Sequence, residues 1–286
     1  EWLKDVKDWA ISRERYWGTP LPLWKCECGQ IEIIGSISEL KEKAISEIKD
    51  DLDLHKPYID EVKIKCSKCG NEAKRIPEVL DCWFDSGSMP FSSGEFPENY
   101  PADFISEAID QTRGWFYTML AIATLMDQKA SYKNVICLSH VLDEKGKKMS
   151  KSKGNIIEPN SIIDKYGADA LRWYFYTVNS PGDPKRLGER NIEIAQRKFI
   201  NILWNVYLFF ETYSKVDGWD PEKIKKSENI LDKWIESSLN KLVKNTTENL
   251  ENYDIVSAAR SIEMFVTDFS TWYLRRSRKR RDVEFY

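Results

Sequence analysis

Two kinds of hydrophobic spacing divide this chain. Up to about residue 145, short apolar runs alternate with turn residues. There the pattern predicts a strand at 104–105, a helix over 113–126 and a strand over 135–142, and this strand–helix–strand order implies a parallel sheet. The aromatic, proline-containing stretch 1–24 predicts an extended strand.

From residue 190 onward the apolar residues recur every three or four positions, which is typical of amphipathic helices. Three such helices of about 20 residues predict most of an antiparallel bundle with the apolar side chains in its core. The three sets are Phe199, Ile202, Leu203, Val206, Phe209 and Phe210; Leu231, Trp234, Ile235, Leu239, Leu242 and Val243; and Ile262, Phe265, Val266, Phe269, Trp272 and Tyr273.

The segment between these parts predicts two shorter helices. Pro159, Asn160 and Ser161, followed by Asp164, resemble a capped helix start. A second helix is predicted from near Ala168 to just before the proline pair at 181–184, which we take as a domain boundary.

Composition narrows the class of protein. At 286 residues and 42% hydrophobic, the chain is long enough for two or more domains. The net charge of −3 means that nucleic-acid contacts must use local basic patches. The longest apolar run, 115–126, is too short to cross a membrane, and no secretory signal is present, so we expect a cytoplasmic protein without a membrane partner.

Four cysteines form two close pairs, C-x-C and C-x-x-C, and a glycine follows the second cysteine of each pair. They are Cys26 and Cys28, then Cys66 and Cys69. Four thiolates with this spacing favour a structural Zn²⁺ site, in which glycine lets backbone amides turn toward sulfur. Two disulfides or four unrelated thiols are the alternatives to a zinc site. The charged stretch 37–54 between the two cysteine pairs predicts a helix.

The remaining cysteines and histidines offer little chemistry. Cys82 and Cys137 fall in predicted strands and are interpreted as small buried hydrophobes. With only two histidines, His55 and His140, and no Gly-x-Ser-x-Gly or Walker sequence, hydrolase triads and P-loops have no support.

The densest chemical signal is residues 147–155, Lys-Lys-Met-Ser-Lys-Ser-Lys-Gly-Asn, which Gly146 and Gly154 bracket. A loop with four lysines and two hydroxyls after a strand can bind polyphosphate through ammonium groups and loop amides. A solvated basic turn is the alternative.

The order of the residues carries a resemblance to a known family. Residues 148–152, Lys-Met-Ser-Lys-Ser, match the KMSKS motif of class I aminoacyl-tRNA synthetases. Residues 81–90 (DCWFDSGSMP) resemble the WFDSG segment of the isoleucyl enzymes; valyl enzymes usually carry serine at the position of Asp85. Residues 110–116 (DQTRGWF) and 11–18 (ISRERYWG) resemble two further family segments, and all four occur in the family's order.

The resemblance implies an α/β fold followed by helices. Residues 1–145 would be the second half of a Rossmann catalytic domain with a zinc-binding insertion at 25–77. Residues 146–186 would be a helical KMSKS connector, and residues 187–286 a truncated helical-bundle anticodon-binding domain. The family's His-x-Gly-His motif is absent, and so is its editing domain. We therefore expect part of a longer enzyme, inactive alone and prone to self-association at an exposed strand edge.

The implied reaction is ATP-dependent activation of L-isoleucine, with Mg²⁺, and transfer to tRNA(Ile). Lys148 and Lys151 would be catalytic, stabilising charge on the departing pyrophosphate. The other implied ATP-binding residues are Ser150, Ser152 and His140. The implied isoleucine and aminoacyl-adenylate residues are Trp83, Asp85, Glu107, Asp110, Gln111 and Trp115.

Several of these residues have simpler interpretations. The two tryptophans could be ordinary core residues, Asp110 and Gln111 a helix cap with its first-turn partner, and His140 a core histidine. The basic cluster at the C-terminal end would contact the tRNA backbone or complement a helix dipole. Its members in this assignment are Arg275, Arg276, Arg278 and Lys279.

Three other functions compete with the isoleucyl assignment. They are part of a valyl enzyme, a synthetase-derived tRNA-binding module without catalysis, and a zinc-stabilised scaffold. Asp85 disfavours the first, the intact lysine loop disfavours the second, and the KMSKS match disfavours the third.

Overall fold

The computed structural model describes residues 2–223, 227–280 and 285. The strands are β1 Ser12–Arg13, β2 Leu23–Cys26, β3 Ile31–Ile33, β4 Lys63–Lys65, β5 Glu72–Arg75, β6 Val79–Leu80, β7 Ala102–Ala108, β8 Tyr132–Leu138, β9 Val141–Leu142 and β10 Lys185–Arg186. The helices are α1 Ile37–Lys43, α2 Cys82–Ser92, α3 Trp115–Leu125, α4 Pro159–Tyr166, α5 Ala168–Thr177, α6 Glu189–Ala195, α7 Asn201–Val216, α8 Ile230–Glu251, α9 Ile255–Asp268 and α10 Arg275–Ser277.

The chain forms two compact units. The first consists of Glu1–Ile105 and Asp110–Val135, and the second of Ser106–Ile109 and Ile136–Tyr286.

In the first unit, residues 23–75 form a small sheet module with its own core. Its four strands are antiparallel in the order β3-β2-β5-β4. Trp24 and Ile64 lie at the centre of its core, at 2% and 0% exposure. The helix predicted over 37–54 ends at Lys43, because Ala44 is extended and the Ile45 amide donates to the carbonyl of Lys63 at 3.0 Å. The bridge between Ala44 and Ile64 thus ends the helix, and the second half of the predicted stretch is not helical.

The predicted strand–helix–strand segment is present as β7, α3 and β8. Main-chain and side-chain hydrogen bonds join Ala102 to Ser131 and Asp103 to Asn134, so β7 and β8 advance in the same direction. The following strand was predicted to continue to residue 142. Instead β8 ends at Leu138, and β9 is a separate strand that pairs in parallel with β10.

Helices α2 and α3 of the first unit pack closely because Gly87 has no side chain. A Cβ atom there would lie 2.9 Å from the carbonyl carbon of Thr118. Cys82 was predicted in a strand, but it is the exposed first residue of α2, while Cys137 is half-buried in β8. The buried, strand-bound interpretation is therefore wrong for Cys82.

In the second unit, the shorter predicted helices are confirmed as α4 and α5, but the predicted cap is wrong. Helix α4 begins with Pro159 at its first position and Glu158 as N-cap, without a side-chain cap. The Ser161 hydroxyl instead donates to the carbonyl of Glu158 at 2.8 Å.

The three amphipathic helices are confirmed as α7, α8 and α9, the last continuing as a π-helical turn, Phe269–Leu274. Their apolar sets were predicted to be core, but burial is mixed. Val206, Val266 and Tyr273 are buried. Others are at least 36% exposed; they are Leu203, Trp234, Leu239, Val243 and Trp272. None of the helices in the described ranges is long and apolar enough to span a bilayer.

Candidate functional site

The lysine loop, residues 147–155, follows β9 and is held at its start by Asp143. One carboxylate oxygen of Asp143 accepts hydrogen bonds from the amides of Lys145 at 3.0 Å and Lys147 at 2.7 Å. The Asp143 amide donates to the Lys147 carbonyl at 2.9 Å, and Gly146 completes the turn with a φ of +74°. These hydrogen bonds hold the pKa of Asp143 below its usual value, with the bond from Asn155 as the largest cause.

Asn155 holds the far end of the loop. Its amide oxygen accepts from the Ser150 amide at 3.0 Å. Its amide nitrogen donates to the other carboxylate oxygen of Asp143 at 2.9 Å and to the Lys148 carbonyl at 3.3 Å. One side chain therefore joins three points of the loop.

The lysine side chains themselves are left free. Lys148 and Lys151 are exposed, and no lysine of the loop forms an ion pair within the parts of the chain that the structure describes. The hydroxyls of Ser150 and Ser152 lie 3.3 Å apart. Such a surface can receive an anion with several oxygens.

His140 and Glu107 belong to the same unit as the lysine loop. His140 lies between β8 and β9 with an exposed side chain, so the interpretation as a core histidine is wrong. Glu107 is exposed on β7.

The two predicted pocket tryptophans lie in the first unit, on α2 and at the start of α3. The Trp83 ring lies over Gly114, where a Cβ atom would approach it to 3.3 Å. The Trp115 indole donates to the Ser86 carbonyl at 3.0 Å. Trp83 is 40% exposed and Trp115 is half-buried, so neither is an ordinary core residue.

Gln111, not Asp110, caps α3. The Gln111 side-chain oxygen accepts from the Trp115 amide at 2.9 Å, and its amide nitrogen donates to the carboxylate of Asp110 at 3.2 Å. Asp110 is exposed, and Asp85 is half-buried on α2.

A cleft of about 430 Å³ opens beside Trp83. Its floor includes buried Asp81, which accepts from the Trp9 indole at 2.9 Å and forms an ion pair with Arg13 at 3.0 Å. Trp83 and Gly114 form another part of its lining. The structure thus groups Trp83, Gln111 and Trp115 in one unit, and Glu107, His140 and the lysine loop in the other.

The four paired cysteines converge at the end of the sheet module. Their Sγ atoms lie within 4.8 Å of one another, with 3.5 Å between Cys26 and Cys69 and 3.8 Å between Cys28 and Cys66. These separations are too long for disulfides. A tetrahedral Zn²⁺ with bonds of about 2.3 Å would hold its sulfurs about 3.8 Å apart, so the donor set fits that ion.

The glycine that follows each cysteine pair closes a turn beside the thiols. Gly29 and Gly70 have φ values of +86° and +76°, and their amides donate to the carbonyls of Cys26 and Cys66. Hydrogen bonds from the Cys69 and Lys68 amides lower the pKa of Cys66 to about 7.

Glu32 supports the second cysteine pair from β3. It is 6% exposed and accepts from the Ser67 amide at 3.0 Å and from the Ser67 hydroxyl. These bonds hold the pKa of Glu32 below its usual value.

The basic cluster at the C-terminal end divides into exposed and structural members. Arg275, Arg276, Arg278 and Lys279 are exposed, with the Arg276 guanidinium 3.8 Å from the centre of the Trp272 ring. Arg280 instead forms a two-point ion pair with buried Asp232, at 2.6 and 2.8 Å.

Sequence reasoning missed Asp143, Asn155 and Glu32. Asp143 could have been found, because an Asp-x-x-Gly turn often uses its carboxylate to accept nearby amides. Asn155 and Glu32 carry no such local signal, since their partners depend on how the chain folds back.

Two family models match the sequence. Residues 1–187 match the model for tRNA synthetases class I (I, L, M and V), and residues 232–284 match that for the anticodon-binding domain of tRNA ligase.

Individual relatives agree with these models. The chain is 54% identical to the isoleucine–tRNA ligase of Clostridium tetani and 50% identical to those of Dehalococcoides mccartyi and Deinococcus radiodurans. Each match covers 98% of this chain but only 28%, 29% and 27% of the relative. The chain therefore spans less than a third of the length of these curated relatives.

Solved structures share the fold. The agnB2 LeuRS of Agrobacterium radiobacter K84, in a ternary complex with tRNA and LeuAMS, matches with a TM-score of 0.70 at 22% identity, over 98% of this chain and 38% of that one. The methionyl-tRNA synthetase of Mycobacterium tuberculosis, with methionyl-adenylate, matches with a TM-score of 0.58 at 20% identity, over 73% of this chain and 44% of that one. At these identities the likeness concerns the fold alone.

Proposed function

Because this chain belongs to the class I tRNA synthetases of the I, L, M and V group, we propose that it supplies the lysine-loop part of an isoleucine–tRNA ligase. The observation that carries the proposal is the 54% identity with the Clostridium tetani ligase over 98% of the chain. Asp85 supports the isoleucyl assignment over the valyl one, as the resemblance implies.

The proposed reaction has two steps. In the first, a carboxylate oxygen of isoleucine bonds to the α-phosphorus of ATP, and the bond from that phosphorus to the bridging oxygen of pyrophosphate breaks. In the second, a ribose hydroxyl of tRNA attacks the isoleucyl carbonyl and AMP leaves. No covalent enzyme intermediate forms, so the protein acts by positioning and by stabilising charge.

Lys148 and Lys151 would stabilise the negative charge that develops on the departing pyrophosphate. Their exposure and lack of ion pairs among the described residues support this role, because neither ammonium group must leave a carboxylate first. The hydroxyls of Ser150 and Ser152 would donate to phosphate oxygens, and His140 would lie near the adenine. ATP would bring Mg²⁺ with it.

Trp83 and Trp115 would bind the isoleucine side chain. The position of Trp83 in the lining of the cleft, at 40% exposure, supports this for Trp83, because a branched aliphatic group needs apolar walls. Asp110, Gln111 and Glu107 would contact the polar end of the aminoacyl-adenylate.

The four cysteines would hold a structural Zn²⁺. The separations between their sulfurs support this proposal. The ion would fix the end of the sheet module and take no part in the chemistry.

The anticodon-binding match at 232–284 supports tRNA as the partner of the helical region. The exposed Arg275, Arg276, Arg278 and Lys279 would contact its phosphates, with correspondingly weaker binding at higher salt. We retain 1–145, 146–186 and 187–286 as the proposed domain limits, with the zinc insertion at 25–77.

The test is isoleucine-dependent ATP–pyrophosphate exchange. The chain is assayed alone, with a separate polypeptide that carries a His-x-Gly-His half, and as a chimera in which it replaces the matching segment of the Clostridium tetani ligase. We expect exchange in the chimera with isoleucine and much less with valine. A folded chimera that exchanges with valine but not isoleucine, or with neither, would refute the isoleucine assignment.

A further inference from the structure

We propose that Asn155 and Asp143 are positioning residues for amino-acid activation, which together set the backbone of the lysine loop at Lys148 and Ser150. The inference rests on the proposed function, because it assumes that Lys148 and Lys151 act on the leaving pyrophosphate. Neither positioning residue would touch the substrate.

The side-chain amide of Asn155 uses all of its donors. A primary amide offers two donors and an acceptor, and here both donors and the acceptor are used, on Asp143, Lys148 and Ser150. An aspartate at 155 would lack the donors, and a serine would be too short to reach all three. The geometry therefore selects asparagine.

Asp143 determines which way that amide points. An ionised carboxylate only accepts hydrogen bonds, so the atom that faces it must be the Asn155 nitrogen, which leaves the oxygen for the Ser150 amide. The second Asp143 oxygen meanwhile accepts from the Lys145 and Lys147 amides. The pair thus connects the turn before the loop to the end of the loop.

Little else in the described structure fixes this backbone. Among the described residues, the other main-chain bonds of the segment are the bond from the Asp143 amide to the Lys147 carbonyl, a single bridge between Lys148 and Leu142, and those of the short turn Lys151–Lys153. Four lysines also repel one another here. Asp143 directs its carboxylate to backbone amides and not to ammonium groups, so the loop is held while its lysines remain available for phosphate.

This arrangement matters for catalysis because donors that are already oriented need no reorganisation in the transition state. If the loop lost its anchor, Lys148 and Lys151 would sample many positions. The rate of activation would fall, whereas binding of isoleucine in the other unit would not change.

The experiment compares Asn155→Asp, Asn155→Ser and the exchange Asp143→Asn/Asn155→Asp in the active chimera. Asn155→Asp places two carboxylates together and removes both donors. The double variant restores one amide–carboxylate pair in the opposite order. Asn252→Asp is the matched control, because the Asn252 amide also donates to a backbone carbonyl, that of Glu248 at 2.7 Å, but at the end of α8.

For Asn155→Asp we expect kcat in pyrophosphate exchange to fall about 10- to 100-fold, with KM for isoleucine unchanged within about twofold. The kcat of Asn155→Ser should fall less. The kcat of the double variant should be at least about fivefold higher than that of Asn155→Asp, and the kcat of Asn252→Asp should equal that of the parent. Thermal unfolding of all variants reports whether they fold. Unchanged kcat in both Asn155 variants, or equal loss in Asn252→Asp, would overturn the inference.

A second measurement separates this inference from the proposed function. Limited trypsin digestion reports loop conformation without any activity, and Asn155→Asp should be cut after Lys148 or Lys151 several times faster than the parent. If the parent chimera shows no isoleucine-dependent exchange, the proposed function fails even if the loop is anchored as described. If the parent is active but both digestion and kcat are unchanged in Asn155→Asp, the positioning role fails alone.

Discussion

The cysteine cluster and the lysine loop are built from the same local devices. Each turn contains glycines with positive φ, as at Gly29 and Gly154. In each, a carboxylate accepts backbone amides: Glu32 accepts from Ser67, and Asp143 from the turn before the loop.

What differs is the burial of the functional side chains. Cys26 and Cys66 are each only 2% exposed beside the core of a four-stranded sheet, and Cys28 and Cys69 are exposed in the turns that follow them, whereas Lys148 and Lys151 are exposed on a loop. A structural ion requires fixed ligands, and tight turns that follow paired strands can provide them. Charge that moves during a reaction requires side chains that can follow it, and a loop whose backbone is held while its lysine side chains stay exposed leaves them that freedom.

Among the changes that test this comparison, removing one cysteine should have the largest effect on the protein. If the proposed zinc site exists, Cys66→Ser should abolish stoichiometric zinc and lower the free energy of unfolding by more than about 4 kcal/mol, because a bound ion would stabilise the folded module. Metal analysis and chemical denaturation of the purified protein measure both. Cys82→Ser is the control, and equal zinc contents in the two variants would exclude the four-cysteine site.

Substituting a lysine of the loop should lower the rate of the reaction and leave the stability of the protein unchanged. Lys151→Ala should lower kcat for pyrophosphate exchange by about 10²–10³, the loss typical of a preorganised donor, which corresponds to about 3–4 kcal/mol. Its melting temperature should stay unchanged, because the side chain is exposed. Lys153→Ala, also exposed and two residues away, should lose much less. A similar loss in both would mean that the loop acts through its total charge alone.

Glu32 provides a smaller and more specific test of the cysteine cluster. Glu32→Ala leaves the Ser67 amide without its acceptor and should weaken zinc binding about 10- to 100-fold. Glu32→Gln keeps an acceptor and should lose less. Competition with a chelator gives the zinc affinities, and identical values in the two variants would show that Glu32 does not support Cys66 through Ser67.

Much of the fold could be predicted because the hydrophobic spacing agreed with the tertiary structure. Helices α3, α7, α8 and α9 formed where their apolar residues recur at helical spacing. The helix predicted beyond Lys43 did not form, because Ala44 and Ile45 pair with β4, a contact from 20 residues further along the chain that local spacing does not reveal.

The site was predictable only in its chemistry-bearing residues. Four cysteines and a lysine-rich motif stand out in a sequence, and the structure does bring the cysteines together. The residue that holds the lysine loop, Asn155, is a common polar residue whose partners are two backbone groups and the carboxylate of Asp143. The role of Asn155 depends on how the chain folds back on itself, so a local residue pattern does not predict it.

The smallest effects are expected from alanine substitutions at two glycines, one in each region. Gly29 and Gly154 have φ values of +86° and +64°, and a Cβ atom at either would meet nothing within 4 Å. Alanine at each position should therefore cost only the backbone strain of the left-handed region, about 1–2 kcal/mol. In Gly29→Ala this strain should lower the stability of the folded module and leave kcat unchanged. In Gly154→Ala the strain falls on a segment outside any core, so the melting temperature should change little while kcat falls about five- to tenfold. Chemical denaturation and pyrophosphate exchange are measured on both variants. If both lose the same stability and keep the same kcat, the loop is as firmly folded as the cysteine module.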